Sequence, residues 1–344
     1  MDYNRSWSDL NEHLREAEQA SGGLATALAE LEAHQRETGF IKDDLGGVRR
    51  HQFTHPKKTT ATFRVQYNPK RAKRFNGSGV QTPPPDTENL NGGCFLCREN
   101  IRWQQQNAQV GFEIGMTHDI YHAWMNPFPL MPNHVVIAAE NHVSQEWDMD
   151  GREVGGVPLA QLLGDLCETA ERLPNHVGFY NGVDAGASIP DHLHFQFFRR
   201  PPKDPVFPLE QRSFRPPETD SDPLIVDDYP IAVALWRGSV PNVVSAATTW
   251  LRKWTDGNAD RLAGLSSNFI AAGHEMGGVS LYFVPRERAK PRWNGNGGMV
   301  GGLELLGEFV FSSADEKAML ERHQVDYFTI EKALASVHTP IFPT

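Results

Sequence analysis

Residues 181–196, NGVDAGASIPDHLHFQ, decide which fold and which chemistry this sequence favours. The last part predicts a β-strand over residues 193–198, on which alternate side chains face the same way. His192, His194 and Gln196 would then form one polar row. The opposite face would carry the apolar side chains of Leu193, Phe195 and Phe197. Because buried polar groups each need a partner, a polar row on one side of a strand predicts the edge of a pocket.

The histidines of this row predict a particular chemistry. A neutral imidazole can attack phosphorus when its other ring nitrogen is held by a hydrogen bond. We therefore predict that a histidine of this row is a catalytic nucleophile and that the amide of Gln196 hydrogen-bonds a phosphate oxygen. The alternative is that these are interior histidines with satisfied hydrogen bonds, which is the usual explanation of a lone histidine. The HxHxQ pattern directly after a glycine-rich loop favours the catalytic interpretation.

Two segments predict phosphate contacts. The loop before the strand carries Asn181, Gly182 and Ser188 among small residues that let backbone N–H groups approach an anion. Residues 284–292 place several cations after a predicted strand. Arg286 is the candidate there for a phosphate clamp, because guanidinium geometry matches phosphate oxygens. A solvated charged turn explains that segment equally well.

The cysteines predict a metal site. The chain has three, an odd number, and two of them form the pattern Cys94-x-x-Cys97, which is typical of zinc binding. A redox pair or two unrelated thiols remain alternatives. His142 and His192 are the predicted remaining ligands. His122 and His134 are the competing candidates. We expect a structural zinc that ties the loop before the first strands of the catalytic half to the strand that carries His194.

Composition limits the partners. The 43 acidic and 33 basic side chains give a formal charge of −10, which argues against a general nucleic-acid binder. No window approaches the roughly 20 apolar residues of a membrane span, and the first ten residues carry no signal-peptide core. We therefore expect no nucleic acid and no membrane among the partners. A reducing, cytoplasmic location is the expectation for this cysteine usage.

Irregularly alternating helix and strand patterns predict an α+β protein. Helix is predicted over residues 6–37, with a break near residues 21–23, and again over 158–172 and 314–336. Residues 201–223 are rich in proline and predict a connector, followed by a strand over 231–236. The predicted divisions are a helical extension (1–55), a catalytic half with the CxxC and HxHxQ patterns (56–205) and a second half (206–344).

These motifs resemble the histidine-triad (HIT) superfamily in its transferase branch, over roughly residues 60–312. That branch includes galactose-1-phosphate uridylyltransferase, diadenosine tetraphosphate phosphorylase and GDP-L-galactose phosphorylase. The matching elements are Cys94-Phe-Leu-Cys97, Asn126-Pro-Phe-Pro, Pro132-Asn-His134-Val-Val-Ile, His142, Asn181-Gly182 and His192-Leu-His194-Phe-Gln196. Leu193 stands where the uridylyltransferases usually have proline, so the chain looks nearer the phosphorylases.

The resemblance implies a fold, a reaction and roles for residues. The fold would be an antiparallel sheet with flanking helices, arranged as two HIT-like halves, and relatives often form homodimers. His194 would attack the α-phosphorus and form a nucleotidyl-histidine, while Gln196 would stabilise that phosphate. In zinc-bearing relatives the first histidine of the motif ligates metal, which matches His192, with His142 as its companion. Substrate contacts would come from Asn126 near the ribose, and from Asn181 and Ser188 near the phosphates.

The leading hypothesis is a nucleotide phosphorylase or nucleotidyltransferase. It would cleave a dinucleoside polyphosphate or nucleotide-sugar and pass the nucleoside monophosphate to phosphate or to a phosphorylated acceptor. One alternative is a hydrolase that gives the same intermediate to water, which the glutamine at position 196 disfavours. Another is a zinc-stabilised nucleotide-binding protein without turnover.

Overall fold

A computed structural model describes the chain except for residues 1, 21, 42, 74–89, 105–107, 151–155, 218, 220–221, 289, 291–299 and 343–344. Its α-helices are α1 (Tyr3–Gln19), α2 (Gly23–Glu37), α3 (Arg98–Gln104), α4 (Leu159–Arg172), α5 (Val240–Gly257), α6 (Gly302–Leu305), α7 (Ala314–Glu321) and α8 (Tyr327–Ala335). Among the described residues, no helix combines the length and the apolar composition needed to cross a membrane.

The strands form one large sheet and two small ones. They are β1 (Arg49–Thr54), β2 (Thr62–Tyr67), β3 (Phe112–Gly115), β4 (Ile120–Met125), β5 (Val135–Ala139), β6 (Trp147–Asp148), β7 (Val157–Pro158), β8 (His176–Asn181), β9 (His194–Arg199), β10 (Phe214–Arg215), β11 (Leu224–Val226), β12 (Ala234–Gly238), β13 (Leu265–Gly273), β14 (Val279–Glu287) and β15 (Glu308–Phe311). The large sheet has ten strands in the order β10-β11-β12-β14-β13-β8-β9-β5-β4-β3.

The large sheet consists of two halves with the same strand order. Each half has three successive strands, then a helix, then two strands, and the last strand lies between the third and the fourth. The helices are α4 in the first half and α5 in the second. The halves meet where β8 pairs with β13, and every pairing in this sheet is antiparallel. The predicted α+β class, with an antiparallel sheet and flanking helices, is confirmed.

Both faces of the large sheet are covered. On one face α4 buries Leu162, Leu163 and Leu166, which follow helical spacing, in the same core as Phe195 and Phe197. On the other face Phe179, Phe198, Ile270 and Val284 belong to a second core. Alternation along β9 therefore separates the two cores. The sequence predicted Phe195 and Phe197 as a buried row, and the opposite, polar face also carries Phe198 of the second core.

The N-terminal helices pack on the first half of the sheet. Leu14, Leu24, Leu28 and Leu31 are buried in the core that contains α4, and Tyr3 and Trp7 pack near Leu96 in a smaller cluster beside the CxxC loop. The chain then continues into β1, which pairs with β2. The strand β2 also pairs in parallel with β15 from the end of the second half. The division boundaries drawn at residues 55/56 and 205/206 stay predictions.

Two sequence predictions need correction. Residues 314–336 are not one helix, because the backbone at His323 is left-handed (φ 55°) and separates α7 from α8. The proline-rich connector and the segment after it contain the short strands β10 and β11, and the strand predicted at 231–236 begins at Ala234. Strands of two or three residues carry too few alternating positions to be recognised from sequence.

Candidate active site

His194 is the first residue of β9 and is buried, with a relative exposure of 3%. Its Nδ1 lies 2.8 Å from the carbonyl oxygen of His192. A carbonyl only accepts hydrogen bonds, so Nδ1 carries the proton and the lone pair resides on Nε2. Burial lowers the pKa of His194 to about 4, which keeps the imidazole neutral. This is the protonation state and tautomer that a nucleophilic histidine requires.

The backbone of His194 is held by Gln145, which the sequence analysis missed. The Gln145 side chain is fully buried, and its Oε1 accepts from the His194 N–H at 2.8 Å. Its Nε2 donates to the carbonyl oxygens of His194 at 2.9 Å and Asn181 at 3.0 Å. One amide therefore joins the start of β9 to the end of β8. Gln145 lies in a loop outside any recognisable motif, and its partners are distant in sequence, so no local signal identifies it.

We predict that Gln145→Met destabilises the protein by about 2–4 kcal/mol, because it leaves a buried N–H and two carbonyls without this partner. Methionine has a similar length, which limits the change in packing. Urea unfolding of both proteins measures the difference. If the two unfold at the same denaturant concentration, Gln145 does not hold the His194 backbone.

Gln196 lies on the same face of β9 as His194, and its orientation is set by His134. The backbone N–H of Leu130 donates to Nδ1 of His134 at 3.1 Å, so Nε2 of His134 carries the proton. That Nε2 lies 3.1 Å from Oε1 of Gln196. Because the amide oxygen is occupied, the NH2 group of Gln196 is the end that can donate to a phosphate oxygen. Burial lowers the pKa of His134 to about 3, so this histidine remains neutral.

The loop residues Asn181 and Gly182 join the two halves of the sheet. Oδ1 of Asn181 accepts from Nδ2 of Asn268 at 2.8 Å and from the N–H of Gly302 at 3.0 Å. A Cβ on Gly182 would lie 2.5 Å from the carbonyl oxygen of Ser267, so only glycine fits there. Asn181 is linked to His194 through Gln145, and both Asn181 and Gly182 fix the seam at which the halves meet.

The remaining substrate-contact predictions occupy different surroundings. Ser188 is exposed on the loop between β8 and β9. Asn126 follows β4, accepts from the Phe128 N–H at 2.9 Å through Oδ1 and donates its backbone N–H to the carbonyl of His134. Asn126 is therefore connected to Gln196 through His134. The contact of these side chains with a ribose or a phosphate stays a prediction.

Arg286 is buried in the second half of the sheet, with a relative exposure of 4%. Its Nη1 donates to Oδ1 of Asn268 at 2.8 Å and to the carbonyl of Val300 at 2.9 Å. Its Nε has no hydrogen-bond partner among the residues that the structure describes, and no carboxylate among them forms a salt bridge with it. Burial lowers the pKa of Arg286 to about 10, so the cation persists at neutral pH.

The burial of Arg286 bears on one of the two explanations of residues 284–292, and the phosphate clamp stays a prediction. A solvated charged turn does not describe this side chain, although the outer part of the segment, residues 289, 291 and 292, lies outside the described residues. Arg286 lies beside Asn268, the partner of Asn181 across the seam between the halves. A buried cation close to the Asn181 loop is compatible with an anionic ligand.

The four predicted metal ligands converge. Their ligand atoms, from Cys94, Cys97, His142 and His192, lie within 4.8 Å of one another. Nδ1 of His192 is 3.3 Å from Sγ of Cys94 and 3.6 Å from Sγ of Cys97, and Nδ1 of His142 is 3.4 Å from Sγ of Cys97. A tetrahedral zinc with Zn–S of about 2.3 Å and Zn–N of about 2.0 Å separates sulfur and nitrogen by about 3.5 Å. The residues therefore fit zinc.

The environment of the two ligand types also fits zinc. Nε2 of His192 lies 2.7 Å from the carbonyl of Ala139, so Nε2 carries the proton and Nδ1 is free to ligate. The hydrogen bond between the two thiols lowers the pKa of Cys94 to about 7 and raises the pKa of Cys97 to about 11, so it favours a thiolate on Cys94 only. Neither His122 nor His134, the competing candidates, belongs to this cluster. His192 precedes β9 and turns its side chain to the cysteines, so it does not share the row of His194 and Gln196.

The fold and the site together define a class of α+β protein. In this class, a buried histidine begins a strand of the large antiparallel sheet and lies beside a Cys2His2 cluster. A family model described as a domain of unknown function (DUF4922) matches residues 31–199, which contain every predicted site residue except Arg286. No curated protein matches the chain.

Among solved structures, the chain is similar to yeast Ap4A phosphorylase Apa2, with 17% identity and a TM-score of 0.53 over 90% of this chain and 97% of that chain. The structure of the same yeast enzyme in complex with AMP gives a TM-score of 0.53, at 17% identity, over 90% and 96% of the two chains. The structure of its complex with Ap4A gives a TM-score of 0.52, at 17% identity, over 90% of this chain and 97% of that chain. Similarity at this identity shows that the fold is shared over nearly the whole of both chains.

Proposed function

We propose that this chain is a nucleotide phosphorylase or nucleotidyltransferase that forms a nucleotidyl-histidine on His194. The observation that carries the proposal is the buried, neutral imidazole of His194, whose Nδ1–H is held by the His192 carbonyl, which leaves the lone pair on Nε2. The similarity in fold to an Ap4A phosphorylase supports a dinucleoside polyphosphate as the substrate. A nucleotide-sugar is the second substrate class.

In the first half-reaction, Nε2 of His194 attacks the α-phosphorus. A P–N bond forms, and the P–O bond to the bridging oxygen breaks, so the rest of the substrate leaves as a nucleoside polyphosphate. The Nδ1–H bond to the His192 carbonyl stabilises the positive charge that develops on the ring. Because Oε1 of Gln196 is engaged by His134, its NH2 end can donate to an oxygen of the transferred phosphate, where negative charge develops.

In the second half-reaction, an oxygen of inorganic phosphate or of a phosphorylated acceptor attacks the same phosphorus. The P–N bond breaks, and the lone pair returns to Nε2 of His194. With inorganic phosphate the product is a nucleoside diphosphate. Gln196 has no proton to exchange near neutral pH, and its partner His134 is buried and neutral. This leaves water without a general base in that position, which favours transfer over hydrolysis.

We further propose that zinc binds Cys94, Cys97, His142 and His192 as a structural ion. A site with four protein ligands leaves no open position for substrate, and zinc supplies cross-linking there rather than catalysis. The ion would connect the CxxC loop, the segment after β5 and the segment before β9. It would thereby fix His192, whose carbonyl orients the His194 ring.

The test is intact-protein mass spectrometry after mixing the protein with dinucleoside polyphosphates and nucleotide-sugars, without an acceptor. We expect a mass increase of one nucleoside monophosphate on the wild type and none on His194→Ala. Adding inorganic phosphate should remove the adduct and release a nucleoside diphosphate. Release of nucleoside monophosphate at the same rate with and without phosphate would instead identify a hydrolase. Tight nucleotide binding without any adduct or product would identify a binding protein.

A further inference from the structure

A second group of potential metal ligands lies outside the Cys2His2 cluster. It consists of His122 on β4, Glu113 on β3 and Glu140 directly after β5, with one ligand atom from each within 4.8 Å of the others. None of these residues takes part in the proposed transfer reaction. None belongs to the motifs that carry the resemblance, and His122 is not a ligand of the cysteine cluster.

This group lies on the same face of the sheet as His194. Across the antiparallel strands, Glu113 pairs with His122, His122 with Ala138, and Ala138 with His194. Directly paired residues of antiparallel strands share a face, so these four side chains point the same way. Two strand spacings separate His122 from His194, a backbone distance of about 10 Å.

The imidazole of His122 is buried but incompletely bonded. Its residue exposure is 4%, and its Nε2 has no hydrogen-bond partner among the described residues. The nearest carboxylate oxygen, on Glu140, is 3.9 Å away, beyond hydrogen-bonding distance. The rings of Trp7 and Trp124 pack against it at 5.2 and 5.7 Å between centroids.

A cation between His122 and the two glutamates would give the buried Nε2 of His122 a binding partner. If Nε2 of His122 is unprotonated, it has no hydrogen-bond donor among the described residues, and if it is protonated, it has no acceptor within hydrogen-bonding distance. A divalent ion accepts the imidazole lone pair and both carboxylates together. The Glu113 and Glu140 side chains are 32% and 46% exposed, so both can rotate toward the buried nitrogen. One imidazole with two carboxylates is a ligand set for first-row divalent ions such as manganese, iron(II) or zinc.

We propose that Glu113, His122 and Glu140 bind a divalent metal ion at a second site, distinct from the Cys2His2 cluster. The proposal does not depend on the proposed reaction. Arg15 of α1 competes for this site, because its Nη2 lies 2.9 Å from Oε1 of Glu113. Metal binding must weaken that ion pair, so the affinity depends on Arg15 as well as on the three ligands.

The test is a titration of the full chain with Mn²⁺, followed by the electron paramagnetic resonance signal of the free ion. Manganese is the suitable probe because thiolates bind it poorly, which leaves the cysteine cluster silent. We expect one Mn²⁺ per wild-type chain and at least about tenfold weaker binding in Glu140→Gln, which removes an exposed ligand without disturbing the core. Glu12→Gln, an exposed carboxylate on α1 with the same charge change, should bind like the wild type.

Two further variants distinguish a specific metal site from non-specific attraction of Mn²⁺ to negative charge. Arg15→Gln should tighten Mn²⁺ binding by about two- to fivefold, since it removes an exposed ion pair from Glu113. His122→Gln should weaken binding as Glu140→Gln does. Absence of uptake by the wild type at millimolar Mn²⁺ would overturn the proposal. So would equal affinities of Glu140→Gln and Glu12→Gln.

Discussion

His194→Ala is expected to lower the turnover of an accepted dinucleoside polyphosphate by at least about 10⁴-fold, because it removes the atom that forms the covalent intermediate. No other described imidazole can replace it at this position. His192 directs Nδ1 to the cysteines, and His134 uses both ring nitrogens in hydrogen bonds. Steady-state turnover, measured by separating the nucleotide products, gives the ratio.

Two controls make the loss specific. His51→Ala removes an exposed histidine of β1 and should leave turnover unchanged. His194→Gly should regain part of its activity when imidazole is added, because the free base can occupy the space of the missing ring and attack phosphorus itself. Full turnover by His194→Ala would disprove the covalent mechanism on this residue.

Gln196→Ala should retain the adduct but lose about 10²- to 10³-fold in turnover, which is the usual cost of removing one hydrogen-bond donor to a developing charge.

Cys94→Ser is expected to lose the bound zinc and to lower the melting temperature by on the order of 10 °C. The ion would join three segments that are far apart in sequence, and without it the buried His192 and Cys97 lose a common partner. Metal content by mass spectrometry and thermal unfolding measure the two effects. We expect the melting temperature to change more than the chemistry, because the predicted zinc has no open coordination position.

The matched control is Cys167→Ala, which alters the third cysteine. Cys167 is fully buried on α4 in the hydrophobic core, far from the CxxC loop in sequence. This variant should keep one zinc per chain while losing some packing energy. Zinc-free wild-type protein, purified without chelator, would refute the metal site. Equal zinc content in Cys94→Ser and in the wild type would show that the metal binds elsewhere.

The sequence predicts those features of the fold and of the site that depend on residues close together in the chain. Alternation of polar and apolar side chains located β9 and its two faces, because a strand repeats every two residues. Helical spacing of leucines located α2 and α4, and the CxxC pattern placed both cysteines in one cluster. The HxHxQ pattern predicted the shared face of His194 and Gln196 but was wrong to include His192, which turns toward the cysteines. The short strands β10 and β11 and the break between α7 and α8 were missed, because two or three residues carry no periodic signal.

The tertiary structure alone decided which distant residues meet. Gln145 contacts His194 across 49 positions of sequence, and Asn181 contacts Asn268 across 87. His134 is not in the cysteine cluster and instead donates a hydrogen bond that orients Gln196. His122 lies near Glu113 and Glu140. No pattern within one segment encodes these contacts, because strand pairing and the seam between β8 and β13 create them. The sequence alone thus predicted His194 as the nucleophile and four candidate metal ligands, whereas only the folded chain determined which side chains hold these residues in place.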